Sequence, residues 1–184
     1  RWIPDRKIEA QQVFGTSDDF HPGVSYLLYQ SKPVYVGGVL KGLALPKHYD
    51  YSTLRHTVPE LKAEISYLNW KNIVAFQTRN PMHRAHEELC KMASEAVNAD
   101  GILIHMLLGK LKEGDIPADV RTKAIQAMID NYFRPGTVIQ AGYPIEMRYA
   151  GPREALFHAL IRQNFGCSHL IVGRDHAGIG NYYG

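Results

Sequence analysis

Residues 73–107 read IVAFQTRNPMHRAHEELCKMASEAVNADGILIHML, and this stretch decides the fold. Apolar runs at Ile73–Phe76 and Gly101–Leu107 predict buried β-strands, and His86–Val97 between them follows a helical pattern. A strand, a helix and a second strand in that order are typical of a βαβ unit, whose two strands pair in parallel. The stretch therefore predicts a parallel sheet with a helix on its face.

The alternation of predicted strands and helices continues toward the C-terminus. Apolar runs at Thr137–Gln140 and His169–Val172 predict two further strands, and helical patterns cover Pro117–Phe133 and Pro152–Phe165. Gly166 stands where a helix C-cap glycine is expected. We predict a doubly wound parallel-sheet (Rossmann-like) α/β domain over residues 67–184.

Residues 1–66 have a different character, rich in Gly, Pro, Tyr and His. The segments Val24–Tyr29 and Pro33–Val39 are bounded by turn residues and predict two strands of a small β-rich unit. A helix is predicted over Thr57–Asn69, because Thr57 precedes Glu60 by three residues in the pattern of a capping box. We predict a domain boundary at residue 66.

The composition narrows the class of protein. Hydrophobic residues make up 45% of the 184 residues, which excludes a disordered chain, and 21 Lys and Arg against 18 Asp and Glu give a net charge of only +3. That charge argues against a nucleic-acid partner, and no apolar stretch approaches the length of a membrane span. The two cysteines, Cys90 and Cys167, lack metal-site spacing and indicate a cytoplasmic protein.

Polar side chains crowd the loops that follow the first and last predicted strands. The first loop reads QTRNPMHRAH at residues 77–86, and the second reads GRDHAG at 173–178. Ligands of open parallel sheets bind beyond the carboxyl ends of the strands, so we expect Arg79 and Arg174 to lie at one edge if their strands are neighbours. Their planar guanidinium groups would recognise an anion, although pairing with a carboxylate such as Asp175 is the structural alternative.

His83 and His86 are three residues apart and share one face of a helix. In the first helical turn they lie near the positive end of the helix dipole, a setting that suits a phosphate. Zinc binding together with Cys90 is the competing interpretation, but the pattern HExxH and a third ligand are missing. We predict phosphate binding by the histidines, no metal site, and core packing for Cys90.

The content of the two loops indicates a class of reaction. Cations and neutral donors dominate, and neither a Ser–His–Asp set nor an activated cysteine is needed to explain them. Such an array stabilises developing negative charge. We therefore expect phosphoryl or nucleotidyl transfer, in which positioning and charge neutralisation supply most of the catalysis.

These motifs resemble those of a known family. QTRNPMHRAH and GRDHAG are similar to the two signature motifs of ATP sulfurylase (sulfate adenylyltransferase), within the wider nucleotidyltransferase superfamily. GPREALFHALIRQNFGCSHLIVGRDHAG at 151–178 resembles that family throughout, as do GTSDDFHPGV at 15–24 and LPKHYDYSTLR at 45–55. The resemblance implies a nucleotidyltransferase domain preceded by part of a β-rich PUA-like domain.

The resemblance also implies a reaction. Sulfate and MgATP would give adenosine 5′-phosphosulfate and pyrophosphate, with Mg²⁺ bound through the ATP phosphates. Gln77 and Arg79 match the family's sulfate-binding positions, together with the backbone at Ala177. The positions that match the family's catalytic residues are Thr78, Arg79, Asn80, His83 and His86. Those that match its nucleotide-binding residues are Gln77, Thr78, Arg79, Asn80, His83, His86, Gly173, Arg174, Asp175 and His176.

Further expectations come from the family as a whole. It implies a homo-oligomer and further catalytic-domain strands beyond the position of Gly184, so we expect residues 1–184 alone to bind ATP weakly. Two other interpretations stay open. One is another adenylyltransferase of the superfamily with an organic acceptor, and the other is a non-catalytic nucleotide- or RNA-binding module.

Overall fold

The protein contains a four-stranded parallel sheet in the order β3-β2-β1-β4. The computed structural model describes residues 1–109, 114 and 116–184. Its strands are β1 (Ile73–Thr78), β2 (Gly101–Leu107), β3 (Val138–Tyr143) and β4 (His169–Leu170). The predicted parallel α/β sheet is confirmed, with β4 two residues shorter than expected at its carboxyl end.

The described part of the chain contains six α-helices. The capping box predicted for the third is present, since the Thr57 amide donates to Glu60 Oε2 at 2.7 Å and Glu60 N donates to Thr57 Oγ1 at 3.4 Å. Gly166, at φ +100°, follows the last helix as predicted. The helices are α1 (Arg6–Phe14), α2 (Pro22–Ser25), α3 (Val58–Tyr67), α4 (Arg84–Ala96), α5 (Ala118–Tyr132) and α6 (Pro152–Asn164).

Contacts divide the chain into two compact units. The first comprises Arg1–His48, Met147–Phe157 and Val172–Gly184, and the second comprises Tyr49–Glu146 and His158–Ile171. Helix α6 begins in the first unit, and its residues from His158 onward belong to the second. The boundary expected at residue 66 stays a prediction.

The second unit buries both faces of its sheet. On one face Ile73, Ala75 and Leu103 pack with residues of α3 and with Phe165, just beyond α6. On the other face Phe76, Ile104 and Met106 pack with α4 and α5. Successive strand residues alternate between the faces, so Gln77 shares the face of Ala75, and Thr78 shares the face of Phe76. This alternation determines which helix supports which of the two residues.

The first unit has a small helical core, and here the two strand predictions are wrong. Residues 24–29 are helical: α2 continues into a π-helical turn, Tyr26–Gln30, because His21 Nδ1 caps the helix start by accepting from Gly23 N and Val24 N at 3.1 and 3.3 Å. Val24 and Leu27, three residues apart, pack on Phe14 of α1. Residues 33–39 contribute one antiparallel bridge, between Tyr35 and Trp2.

Among the residues that the structure describes, none of the helices is both long and apolar enough to span a bilayer.

Candidate functional site

The first motif begins inside the sheet. Gln77 and Thr78 are the last two residues of β1, and Gln77 is in register with His105 of β2. Strands β1 and β4 are parallel neighbours, as the expectation about Arg79 and Arg174 required. Arg79 belongs to the second unit and Arg174 to the first, so their common edge stays a prediction.

A tight turn follows the strand. The Thr78 hydroxyl donates to the Asn80 carbonyl oxygen at 2.9 Å and accepts from Asn80 N at 3.1 Å, so the buried threonine fixes the peptide groups on both sides of Asn80, directly after Arg79. Arg79 is half-buried and Asn80 is exposed. Two residues later, Met82 is buried in the core between the sheet and α4. The loop is therefore anchored on both sides of Arg79.

Helix α4 starts directly after this loop. His83 is its N-cap residue and is exposed, while His86 lies in the first turn and is half-buried against Phe76, with ring centroids 5.5 Å apart. The two histidine rings lie 3.9 Å apart, and His86 Nδ1 accepts a hydrogen bond from His83 N at 3.4 Å. The prediction that both histidines stand at the start of a helix is confirmed, at the end where the helix dipole favours an anion.

The environment of His86 favours its neutral form. Burial lowers the pKa of His86, and the neighbouring His83 lowers it further. Since Nδ1 accepts from the backbone, the proton of the neutral ring is on Nε2, which can donate to a ligand. The pair can thus offer a neutral donor beside a helix N-terminus near pH 7.

Arg84 lies inside the same motif but has a structural role. Its guanidinium pairs with Glu87, which is fully buried and also pairs with Lys91, and it lies 4.3 Å from the centre of the Tyr132 ring on α5. Arg84 therefore holds α4 to α5. Because Arg84 is engaged in these contacts, Arg79 is the arginine of the first motif that is placed to bind an anion.

A buried polar cluster on the α6 face was missed from the sequence. Arg162 of α6 is 1% exposed and donates from Nη2 to Gln77 Oε1 at 2.5 Å, and its guanidinium lies 3.8 Å from the Tyr143 ring centre. His105 contacts the Tyr143 ring at a tilt and the Phe165 ring edge-on, and burial, aided by the charge of Arg162, lowers its pKa to about 3. The one visible signal was His105, a histidine inside an apolar strand.

The second motif, in the first unit, is made of turns. His176 N donates to Gly173 O at 3.2 Å, and Gly178 N donates to Asp175 O at 3.0 Å. Arg174 and Asp175 approach to 3.8 Å, but their side chains are 94% and 75% exposed, so this pair is weak. The pairing of Arg174 with Asp175 that was considered from the sequence is present, but it does not fix the position of the arginine side chain.

Ala177 anchors this second loop. It is buried at φ +56°, and its carbonyl oxygen accepts from Gly151 N at 3.0 Å. Gly151, at φ +54°, precedes α6, and a side chain there would meet the Tyr183 ring at 2.6 Å. A cavity of about 950 Å³ opens between the loop and the start of α6. Its lining includes Pro152, Gly173, Arg174, Asp175, His176 and Tyr183.

The His, Cys, Asp and Glu side chains of the described residues are the possible ligands of a metal ion. No group of three or more His, Cys, Asp and Glu side chains among them is arranged to hold an ion. Cys90, named as a zinc ligand in the competing interpretation, is fully buried in the core, and burial raises its pKa to about 12. The core packing predicted for Cys90 is confirmed.

Two protein-family models match this chain. The ATP-sulfurylase family model matches residues 52–184, and a PUA-like domain model matches residues 1–45. A sulfate adenylyltransferase of Psychrobacter arcticus is 58% identical over 181 residues, which cover 98% of this chain and 43% of that protein. Another, of Thiobacillus denitrificans, is 56% identical over 185 residues, covering 100% of this chain and 45% of that protein.

A solved structure is also similar. The hexameric APS kinase from Thiobacillus denitrificans has a TM-score of 0.60 and 33% sequence identity, covering 72% of this chain and 26% of that chain. The chain spans less than half the length of the curated relatives it matches.

Proposed function

This chain belongs to the ATP-sulfurylase family, and from that membership we propose that the protein is a sulfate adenylyltransferase, which transfers AMP from MgATP to sulfate. The products are adenosine 5′-phosphosulfate and pyrophosphate. Because the chain covers 43% of a relative such as that of Psychrobacter arcticus, the activity is proposed for the protein at its full natural length.

The observation that carries the proposal is the anchored turn between β1 and α4. Thr78 directly precedes Arg79 and binds both backbone polar groups of Asn80, which directly follows it, and His83 and His86 follow at the positive end of α4. These groups are cations and N–H donors, which suit a transition state that gathers negative charge on a phosphate and an acceptor anion. This arrangement supports transfer to an oxyanion.

The chemistry needs no general base. Sulfate is a dianion at neutral pH, and one of its oxygens forms the new bond to the α-phosphorus while the bond to the pyrophosphate oxygen breaks. The main barrier is repulsion between two anions. Fixed cations lower that barrier, and holding the two reactants in line supplies much of the remaining acceleration.

We assign the roles by motif. Gln77 and Arg79 bind sulfate, to which the Ala177 backbone contributes, while Thr78 and Asn80 fix the turn that carries Arg79. His83 and His86 bind the ATP phosphates, His86 as a neutral donor. The nucleotide-binding residues of the second motif are Gly173, Arg174, Asp175 and His176.

Magnesium enters with the substrate. The first motif, residues 77–86, offers cations, amides and a hydroxyl but no carboxylate, whereas Mg²⁺ favours carboxylate and phosphate oxygens. No cluster of three or more acidic, histidine or cysteine side chains suited to an ion lies within the described residues. This donor set supports binding of the metal through the ATP phosphates.

Release of pyrophosphate from MgATP tests the proposal. The full-length protein should release pyrophosphate when sulfate, or molybdate as a tetrahedral mimic, is added, and little without either. Release driven by an organic acid or phosphate ester would instead identify another adenylyltransferase. RNA binding that weakens with salt, without any pyrophosphate release, would favour a binding module.

We also propose a cytoplasmic homo-oligomer. The two cysteines are both buried as free thiols, which is compatible with a reducing compartment. The structural neighbour is described as hexameric, which supports self-association of this chain. Light scattering on the full-length protein measures the oligomeric state.

A further inference from the structure

Arg162 is a buried cation that the proposed chemistry does not yet use. Its side chain leaves α6 toward the carboxyl end of β1, where Nη2 donates to Gln77 Oε1 at 2.5 Å. Nη1 approaches the His158 carbonyl oxygen at 3.4 Å, and the guanidinium lies over the Tyr143 ring. With 1% of the residue exposed, Arg162 is closed off from solvent while the Gln77 side chain is half-buried.

The neighbours of this guanidinium are neutral. Among the residues that the structure describes, Arg162 forms no ion pair with a carboxylate, and its contacts are an amide oxygen, a backbone carbonyl and a phenol ring. Burial lowers the pKa of Arg162, but an arginine with these contacts remains charged. A buried cation without a counter-charge is costly, and a bound anion nearby would offset that cost.

The contact also fixes which way round the Gln77 amide lies. Arginine has only donors, so the group that it meets must be the amide oxygen, and the two N–H donors lie at the other end of the amide. If the amide turned over, Nε2 would face a guanidinium donor in a dry setting, which is strongly unfavourable. Gln77 is thereby held in the orientation that directs its donors away from Arg162.

We propose that Arg162 is a positioning residue that makes the Gln77 side of the oxyanion site donor-only and so selects sulfate over phosphate. The inference rests on the proposed function, in which Gln77 binds sulfate. Sulfate is fully deprotonated at neutral pH and accepts hydrogen bonds with every oxygen. Phosphate carries at least one P–OH group, which needs an acceptor, and Arg162 holds the acceptor end of the Gln77 amide turned toward itself.

The test uses the full-length protein and the variant Arg162→Met, which keeps an unbranched side chain but removes the charge and donors. We expect the KM for sulfate to rise about 10-fold or more, because a hydrogen bond from a charged donor is lost. The KM for ATP should stay within about 2-fold, and inhibition by inorganic phosphate should strengthen relative to sulfate binding. Arg134→Met, at an exposed arginine after α5, is the matched control and should leave all three constants unchanged.

A second variant covers the case in which Arg162→Met does not fold. Gln77→Glu puts a carboxylate opposite Arg162, so the protein should fold with an unchanged or higher melting temperature. It should nevertheless lose sulfate turnover, since the donors of the amide are gone and a negative charge has replaced them. Normal sulfate KM in a folded Gln77→Glu protein would overturn the inference.

Failure of the two proposals can be told apart. If the unmodified protein releases no sulfate-dependent pyrophosphate, the proposed function is wrong, and the role of Arg162 falls with it. Suppose instead that the unmodified protein is active and that Arg162→Met folds. If the KM for sulfate, divided by the inhibition constant of phosphate, is then the same in Arg162→Met as in the unmodified protein, only the role of Arg162 is wrong.

Discussion

The two motifs are held in place by different means. The first is built into regular structure: Gln77 and Thr78 end a central strand, Met82 enters the core, and His83 begins a 13-residue helix. The second, residues 173–178, is a series of turns whose Arg174 and Asp175 side chains are largely exposed.

The difference shows where each motif is vulnerable. The first depends on side chains, because a buried hydroxyl holds the turn and a buried guanidinium holds Gln77. The second depends on backbone conformation, through the positive φ of Ala177 and its bond from Gly151. Side-chain truncation should therefore disable the first motif, and changes in backbone freedom should disable the second.

The largest effect is expected at Arg79. Arg79→Ala in the full-length protein should lower sulfate-dependent pyrophosphate release by about 100-fold or more, because the anions lose a charged donor fixed in the transition state. Arg79→Lys should fail nearly as badly, since a point charge does not reproduce the planar fork. The measurement is steady-state turnover at saturating MgATP.

Arg134→Ala controls for loss of a positive charge elsewhere in the second unit, and it should retain parent turnover. Near-normal turnover of Arg79→Lys would remove the bidentate role from Arg79. The same result would show that the first motif does not depend on the fixed geometry of the Arg79 side chain.

The histidines should come next. His83→Ala and His86→Ala should each reduce turnover by about 10- to 100-fold, a range typical of losing one positioned donor or acid–base group. The His83 variant should melt close to the parent because the side chain is exposed, and the His86 variant should lose about 1 kcal/mol of stability with its Phe76 contact and its hydrogen bond from His83 N. Calorimetric melting measures the loss of stability of each variant, separately from its loss of turnover. A large drop in melting temperature for His83→Ala would mean that the residue is structural.

The structural features of the two motifs that depend on a local sequence pattern could be predicted. Apolar runs and capping residues located the sheet, α3 and the start of α4, because each signal lies within a few residues of the element it describes. The pattern was misleading at Val24–Tyr29, where VSYLLY suits either period and the helix start at His21 and Pro22 outweighs it. The Arg162–Gln77 contact joins residues far apart in the chain, and HALIRQN alone does not distinguish it from an ordinary amphipathic helix.

Acid should weaken the support of the first motif. His105 has a folded pKa of about 3 against about 6.5 when unfolded, so the unfolded state binds more protons below pH 6.5. Its contribution to stability is complete above that pH and falls as the pH drops toward 3. Between pH 7 and pH 5 the loss should be about 2 kcal/mol in urea unfolding. His105→Gln, which does not titrate, should lack this part of the slope, and an equal slope in both proteins would show that His105 is accessible to protons when folded.

The smallest effect concerns the backbone of the second motif. Ala177 adopts φ +56°, a region that glycine enters freely and that a β-branched residue enters only with strain. Ala177→Gly should therefore change the free energy of unfolding by less than about 1 kcal/mol, whereas Ala177→Val should cost about 1–2 kcal/mol. Ala127→Val, at an exposed position of α5, controls for the residue change itself and should cost about 0.6 kcal/mol. If Ala177→Val costs no more than Ala127→Val, backbone conformation does not hold the second motif, and the contrast between the two motifs is lost.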